Sequence, residues 1–205
     1  MLVLRLPDAP PTNRRTDKAG HAAERQMEYY LNRALGEHAP EVLVLSGLRL
    51  EDSHQPKPDG SPDAAQIDHL VLHACGAFVI ESKAAREPIT IRVDPQAGEQ
   101  WTRGRTPIPS PIAQAERQAD FLRTYLETRK ADIIEHAPGK LGSIARLIKG
   151  TQATGFRTMP IQIVVAIADA AALNTPKGWR PTIKDFDATT RKADQVPQFI
   201  TAQIE

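Results

Sequence analysis

Asp68 is separated by twelve residues from the triplet Glu81-Ser82-Lys83, and the intervening pattern brings the two together. Two apolar stretches within residues 67–80 flank a turn containing Gly76, which is the signature of a β-hairpin. The open end of that hairpin then carries two carboxylates and one ammonium. Hard divalent cations take oxygen ligands and keep part of their water shell. Asp68 and Glu81, helped by the Ser82 carbonyl, are therefore candidate ligands for Mg²⁺, with Mn²⁺ as a substitute. Lys83 is suited to neutralising charge that develops on a phosphate and to positioning, or helping deprotonate, an attacking water. Together these groups offer metal-dependent hydrolysis of a phosphodiester.

That chemistry depends on register. Side chains two apart on a strand share a face, so Glu81 and Lys83 point the same way. A two-residue turn at Cys75-Gly76 puts Asp68 opposite Lys83 and diagonal to Glu81. A three-residue turn puts it opposite Ser82, on the wrong face. An even loop or a bulge is required, and Leu70, Leu72 and Val79 then extend the same face. The competing reading is an edge-of-sheet salt-bridge cluster, because acids and lysines often close strands and short spacings match by chance.

The elements that must carry these residues follow from periodicity. Residues 18–35 repeat apolar positions at helical spacing, and Gly20, Glu24, Met27, Leu31 and Leu35 form one stripe. Glu24 thus lies on or beside a buried face, where an acid needs a cation, a metal or its water; the alternative is a marginal Glu paired with Lys18 or Arg25. Residues 41–50 read as a strand or a kinked pair of strands, 52–64 as a polar, Pro-rich loop, and 88–94 as a further strand. Residues 95–110 hold Trp101 among turn residues, and a second helix runs from Pro111 to Arg129, with Pro111 in its first turn. Gln114, Gln118, Phe121 and Tyr125 share a face of it, so Gln114 offers an inward amide that orients a water, contacts a phosphate or caps a loop. A short amphipathic helix is expected around 144–148, a buried strand at 161–168 and a last helix at 194–204. The order α-β-β-β-β-α-(α)-β-α is an α/β chain with a central mixed sheet flanked by helices.

In sequence order, Ala23-Glu24, Gln66-Ile67-Asp68-His69, Gly76-Ala77-Phe78-Val79-Ile80-Glu81-Ser82-Lys83, Trp101 and Pro111-Ile112-Ala113-Gln114 resemble the nuclease-related (NERD) domain, a family of the PD-(D/E)xK nuclease superfamily. The resemblance covers residues 18–126, with the strand at 161–168 and the last helix completing the domain. It implies a restriction-endonuclease-like core and a Mg²⁺-dependent nuclease acting on DNA rather than RNA. It also carries Glu24, Asp68, Glu81, Lys83 and Gln114 over as the catalytic set, with Glu24 joining Asp68, Glu81 and Ser82 at the metal. Family members often have Asn or His after the lysine and a Gly shortly beyond, whereas here Ala84-Ala85-Arg86-Glu87-Pro88 follows. On this reading residues 1–205 form one domain with its core at 18–168, an insertion-like stretch at 131–158 and a C-terminal helix at 194–204.

Composition sets the outer bounds. The chain has 205 residues, 25% of them charged, and a net charge of +1, so any nucleic-acid contact must come from local patches. Arg86, Arg103 and Arg105, with Lys149 and Arg157, are candidate phosphate contacts, and Trp101 a candidate platform for a base; solvated charges and a packed aromatic are the ordinary alternatives. Cys75, the only cysteine, rules out an internal disulfide and a Cys-based zinc site. His69 and His73 share the face opposite Asp68 with no third ligand in view. No apolar run suits a membrane span or a signal peptide, so the expected location is cytoplasmic, with no membrane contact and with a larger parent chain or complex left open. The alternative function is a catalytically inactive nucleic-acid-binding or interaction module that retains the nuclease fold.

Overall fold

The computed structural model describes residues 4–5, 15–36, 41–56, 58–59, 62–135, 155–181 and 183–204. In chain order the elements are β1 (Leu4–Arg5), α1 (Arg15–Leu35), β2 (Leu43–Pro56), β3 (Pro62–His73), β4 (Gly76–Lys83), β5 (Ile89–Asp94), β6 (Gly98–Arg103) and β7 (Thr106–Ile108). Then come α2 (Pro111–Thr128), α3 (Lys130–Glu135), β8 (Ile161–Ile167), β9 (Leu173–Asn174), β10 (Asp187–Lys192), a 3-10 turn at Ala193–Gln195 and α4 (Val196–Ile204).

A six-stranded mixed sheet runs in the order β1-β2-β3-β4-β8-β10, and a four-stranded sheet in the order β7-β6-β5-β9. In the larger sheet β2, β3 and β4 are antiparallel neighbours, and β4, β8 and β10 are parallel ones. A parallel pair needs a crossover, and α2 lies in the chain between β4 and β8. Strands β4 and β8 are covered on both faces, hence the near-continuous apolar runs Ala77–Ile80 and Ile163–Ile167.

Each face has its own core. Met27, Leu31 and Leu35 of α1 and Val196 and Ile200 of α4 pack on Val71, Phe78, Ile80, Val164 and Ala166. Ala115, Ala119 and Leu122 of α2 pack on the opposite face, against Leu70, Ala77, Val79, Ile161 and Ile163. The small alanines let α2 sit close to the sheet, which matters for the polar residues it carries. Ser110 caps α2, accepting the Ala113 N–H at 3.3 Å, and Pro111 fills the first helical position, where no N–H is needed.

The structure departs from the sequence expectation in several elements. The polar, Pro-rich segment 52–64 is mostly strand: β2 continues to Pro56 and β3 begins at Pro62, paired across Asp52↔Asp63 and Pro56↔Pro62. Main-chain pairing holds this arm, together with the buried Asp52, which accepts from Arg129 at 3.4 Å, and proline is tolerated at strand ends. Residues 95–110 contain β6 and β7, whose only buried residue is Trp101. β10, the sequence Asp187-Ala-Thr-Thr-Arg-Lys192, lacks apolar alternation because it is the last strand of its sheet. The helix expected around 144–148 lies outside the described residues.

Candidate active site

The hairpin register decides which side chains meet. His73 pairs with Gly76, Leu72 with Ala77 and His69 with Ile80, so the turn is Ala74-Cys75, one residue earlier than expected. It is still a two-residue turn, so Leu70, Leu72 and Val79 do share a face, as expected. The partner of Asp68 changes, however. Continued one step, the register sets Asp68 opposite Glu81, and Lys83 becomes the diagonal neighbour. Gly76 belongs to the strand because the chain beside it is too close for a side chain. A Cβ there would lie 2.2 Å from the Pro160 carbonyl oxygen, which accepts the Ala77 N–H at 2.9 Å.

Regular pairing between β3 and β4 ends at His69↔Ile80. At the next step the Asp68 carboxylate replaces the main chain, its Oδ2 accepting the Ser82 N–H at 2.8 Å. On the other side of β3, Ser46 pairs with His69 and Leu48 with Ile67, which brackets Gly47 and Asp68 opposite one another. Gly47 has φ 64°, a left-handed value that glycine alone adopts freely. Leu45 and Leu48, which would face opposite ways on a flat strand, both pack on the α2-side core, as do Leu70 and Ile67. Residues 41–50, open between one strand and a kinked pair, are thus part of a single strand bent at Gly47, and the β3–β4 pairing ends beside that bend, where Asp68 stands.

This bend opens an edge of oxygen atoms. The Lys83 carbonyl faces β8 and accepts the Ala168 N–H at 3.0 Å. Main-chain groups alternate edges along a strand, so the Ser82 carbonyl faces the other way, toward the gap that Asp68 has capped. Asp68 Oδ1, the Ser82 carbonyl and the Glu81 carboxylate make up a hard-oxygen donor set suited to a divalent cation that retains water. Among the described residues no three His, Cys, Asp or Glu side chains converge tightly enough to hold an ion by themselves. The donor set thus rests on two carboxylates and a carbonyl.

Glu81 is only 2% exposed, and both its oxygens are engaged. Lys83 Nζ donates to Oε1 at 2.5 Å and Gln118 Nε2 to Oε2 at 2.9 Å. Lys83 Nζ also donates to Gln114 Oε1 at 2.9 Å. Glu81, Lys83 and Gln114 are thus brought together as the sequence suggested, through α2. Gln118 completes the network and was legible only as one of three residues sharing a face with Gln114.

Burial and the facing Glu81 carboxylate push the Asp68 carboxyl up to about 8. The Ser82 N–H and Lys83 oppose that rise, and the charge of Glu24 adds to it. Glu24 therefore stands within electrostatic reach of Asp68, and it forms an ion pair with His21, Nδ1 to Oε2 at 3.4 Å. On the opposite face His69 is buried, with Nδ1 2.9 Å from Ser46 Oγ. Burial lowers its imidazole to about 4 even with the Glu24 main chain nearby, so the ring is neutral at pH 7. His73 stacks on Phe78, the two rings 5.2 Å apart.

The residues singled out for nucleic acid fare differently. Arg86, Arg103, Arg105 and Arg157 are exposed, and Lys149 lies outside the described residues. Trp101 is 2% exposed, with its indole N–H on Glu99 Oε1 and its ring edge-on to Trp179. Its faces are used in packing, so it anchors the small sheet and offers no platform to a base.

A mixed sheet between helices, with two acids at the point where a central hairpin splays and a lysine two residues on, defines a restriction-endonuclease-like α/β core. The nuclease-related domain, NERD, matches residues 19–148, more than half of the 205, and the chain belongs to that family. No curated protein and no solved structure matches it. Among the described residues no helix is long and apolar enough to cross a membrane.

Proposed function

We propose that this chain is a metal-dependent nuclease that hydrolyses phosphodiester bonds of DNA. The observation that carries the reading is the capture of the Ser82 N–H by Asp68, across from the buried Glu81 and its partly exposed partner Lys83. There the regular β3–β4 ladder ends, with Asp68 on the step opposite Glu81 and the Lys83 ammonium on the Glu81 carboxylate. Asp68, Glu81 and the Ser82 carbonyl would hold Mg²⁺, or Mn²⁺ in its place, with Glu24 acting from the rim. Bound there, the cation would supply Lewis-acid polarisation of the phosphate and lower the pKa of a water. Lys83 lies where it would stabilise charge on the phosphate oxygens and orient the attacking water, and Gln114 holds the lysine head group in place. Arg86, Arg103 and Arg105 are the exposed cations available to phosphates outside the reacting one.

The test is incubation of plasmid and linear DNA with wild type and Glu81→Ala in Mg²⁺, Mn²⁺ or EDTA. Metal-dependent cleavage by wild type alone is the expected result; equal cleavage by both proteins would remove the assignment. A second reading draws on the fact that both Glu81 oxygens are already engaged by protein groups. In that case the fold binds nucleic acid without cutting. Salt-sensitive DNA binding that ignores EDTA, with no cleavage in either metal, would select it.

A further inference from the structure

Gln118 Nε2 donates to Glu81 Oε2 at 2.9 Å, while Lys83 Nζ reaches Oε1 of the same carboxylate at 2.5 Å. We infer that Gln118 is a positioning residue, which fixes the Glu81 carboxylate plane and so decides which oxygen is presented to the cation. The inference rests on the metal-site reading above and adds a residue to it.

The geometry of α2 supports this. Gln114 and Gln118 are four apart, hence stacked on one face of the helix. They meet the acid–lysine pair with opposite polarity, Gln114 using its carbonyl oxygen toward the ammonium and Gln118 its N–H toward the carboxylate. Gln118 is 7% exposed on a helix whose other inward residues are Ile112, Ala115, Ala119 and Leu122. A buried amide is unfavourable unless bonded, and Gln118 Oε1 has no protein partner among the described residues. An apolar residue would pack there without that penalty, so the return from this amide is its hydrogen bond to Glu81. With Oε2 tied down by Gln118, Oε1, which accepts from Lys83, is the oxygen that this tie would present to the cation. Freed of Gln118, the carboxylate can rotate and offer Lys83 either oxygen, and the donor set loses its fixed geometry. Partners that orient a ligating carboxylate act on metal affinity more than on folding.

The experiment measures Mn²⁺ binding by titration calorimetry for wild type, Gln118→Leu and Gln118→Met, with thermal unfolding alongside. Methionine keeps the length and flexibility of the glutamine, so it remains informative where leucine unfolds. The expected result is Mn²⁺ affinity weakened roughly 10–100-fold in a folded protein. DNA cleavage by the variant should recover as Mn²⁺ is raised, with KM for DNA unchanged. A purely structural tie would lower the melting temperature and leave the Mn²⁺ titration where it was; that outcome overturns the inference alone. A wild type that takes up no Mn²⁺ overturns both this inference and the metal site it rests on.

Discussion

Asp68 and Ser82 are joined by a hydrogen bond that belongs half to the sheet and half to the site. Oδ2 of the acid accepts the Ser82 main-chain N–H at 2.8 Å, where the next β3–β4 rung would fall. One oxygen thus closes the ladder and the other is left for chemistry. The residue that ends the pairing is the one proposed above as a metal ligand.

This dual role separates two substitutions at position 68. Asp68→Asn keeps an oxygen for the Ser82 N–H and removes the charge, whereas Asp68→Ala leaves a half-buried N–H unbonded at a cost of about 1–2 kcal/mol. Chemical denaturation should therefore show Asp68→Ala less stable than wild type and Asp68→Asn at least as stable. Both should lose metal-dependent cleavage by roughly 10²-fold or more. Cleavage retained by Asp68→Asn would remove the acid from the mechanism.

The raised carboxyl of Asp68 makes stability depend on pH with a definite sign. Its value is about 8 in the fold, so across the range from about 4 to 8 the native state holds a proton that the unfolded chain has released. The Asp68 contribution to stability is then fully present at low pH and is lost as pH rises through that window. His69, depressed to about 4, acts oppositely below pH 6.5, where the unfolded chain gains a proton that the fold refuses. Melting temperatures of wild type and Asp68→Asn, measured from pH 5 to 9 in EDTA, isolate the first effect. The difference between them should widen in favour of the variant as pH rises, and a constant difference would contradict the shift.

Metal removal should be visible without any substrate. A cation that binds only the folded chain stabilises it by about 2.7 kcal/mol at a hundred times its dissociation constant. Wild type should accordingly melt higher in Mg²⁺ or Mn²⁺ than in EDTA, and Asp68→Asn and Glu81→Gln should lose that increment. A stabilisation that survives both substitutions would place the ion elsewhere.

Gly76 gives a test of register rather than of chemistry. Any Cβ would strike the Pro160 carbonyl, so Gly76→Ala must displace β4 from the chain leading into β8. A loss of about 1–3 kcal/mol in urea unfolding is expected. Gly47→Ala meets no neighbour within 4 Å and bears only the strain of its left-handed backbone, so the smaller loss belongs there.

Much of this molecule follows from neighbours in sequence. α1 was expected at 18–35 and runs 15–35, α2 at 111–129 and runs 111–128, and β8 at 161–168 and runs 161–167. In each case one periodicity, set by burial of one face or both, is unbroken along the segment. Strands β6 and β7 pair with adjacent strands but bury only Trp101, so no apolar alternation marks them, and β10 pairs with β8, which lies well back along the chain. Gln114 shares a helical face with Gln118, Phe121 and Tyr125, so its inward direction was readable. That Gln118 bonds Glu81 was not, because thirty-seven positions separate them.

Residue types and spacing along the chain were sufficient for the chemistry on offer: two acids, a lysine and an amide, each on an element whose face was already marked by its apolar neighbours. Long-range packing settled how they meet. The close approach of Pro160 moved the hairpin turn to Ala74-Cys75 and set Asp68 across from Glu81, and the left-handed turn at Gly47 bent β2 and β3 away at that point. The first depends on backbone passing backbone between segments far apart in sequence, which no local pattern records, whereas the second is a local glycine conformation within a stretch already readable as a kinked pair of strands.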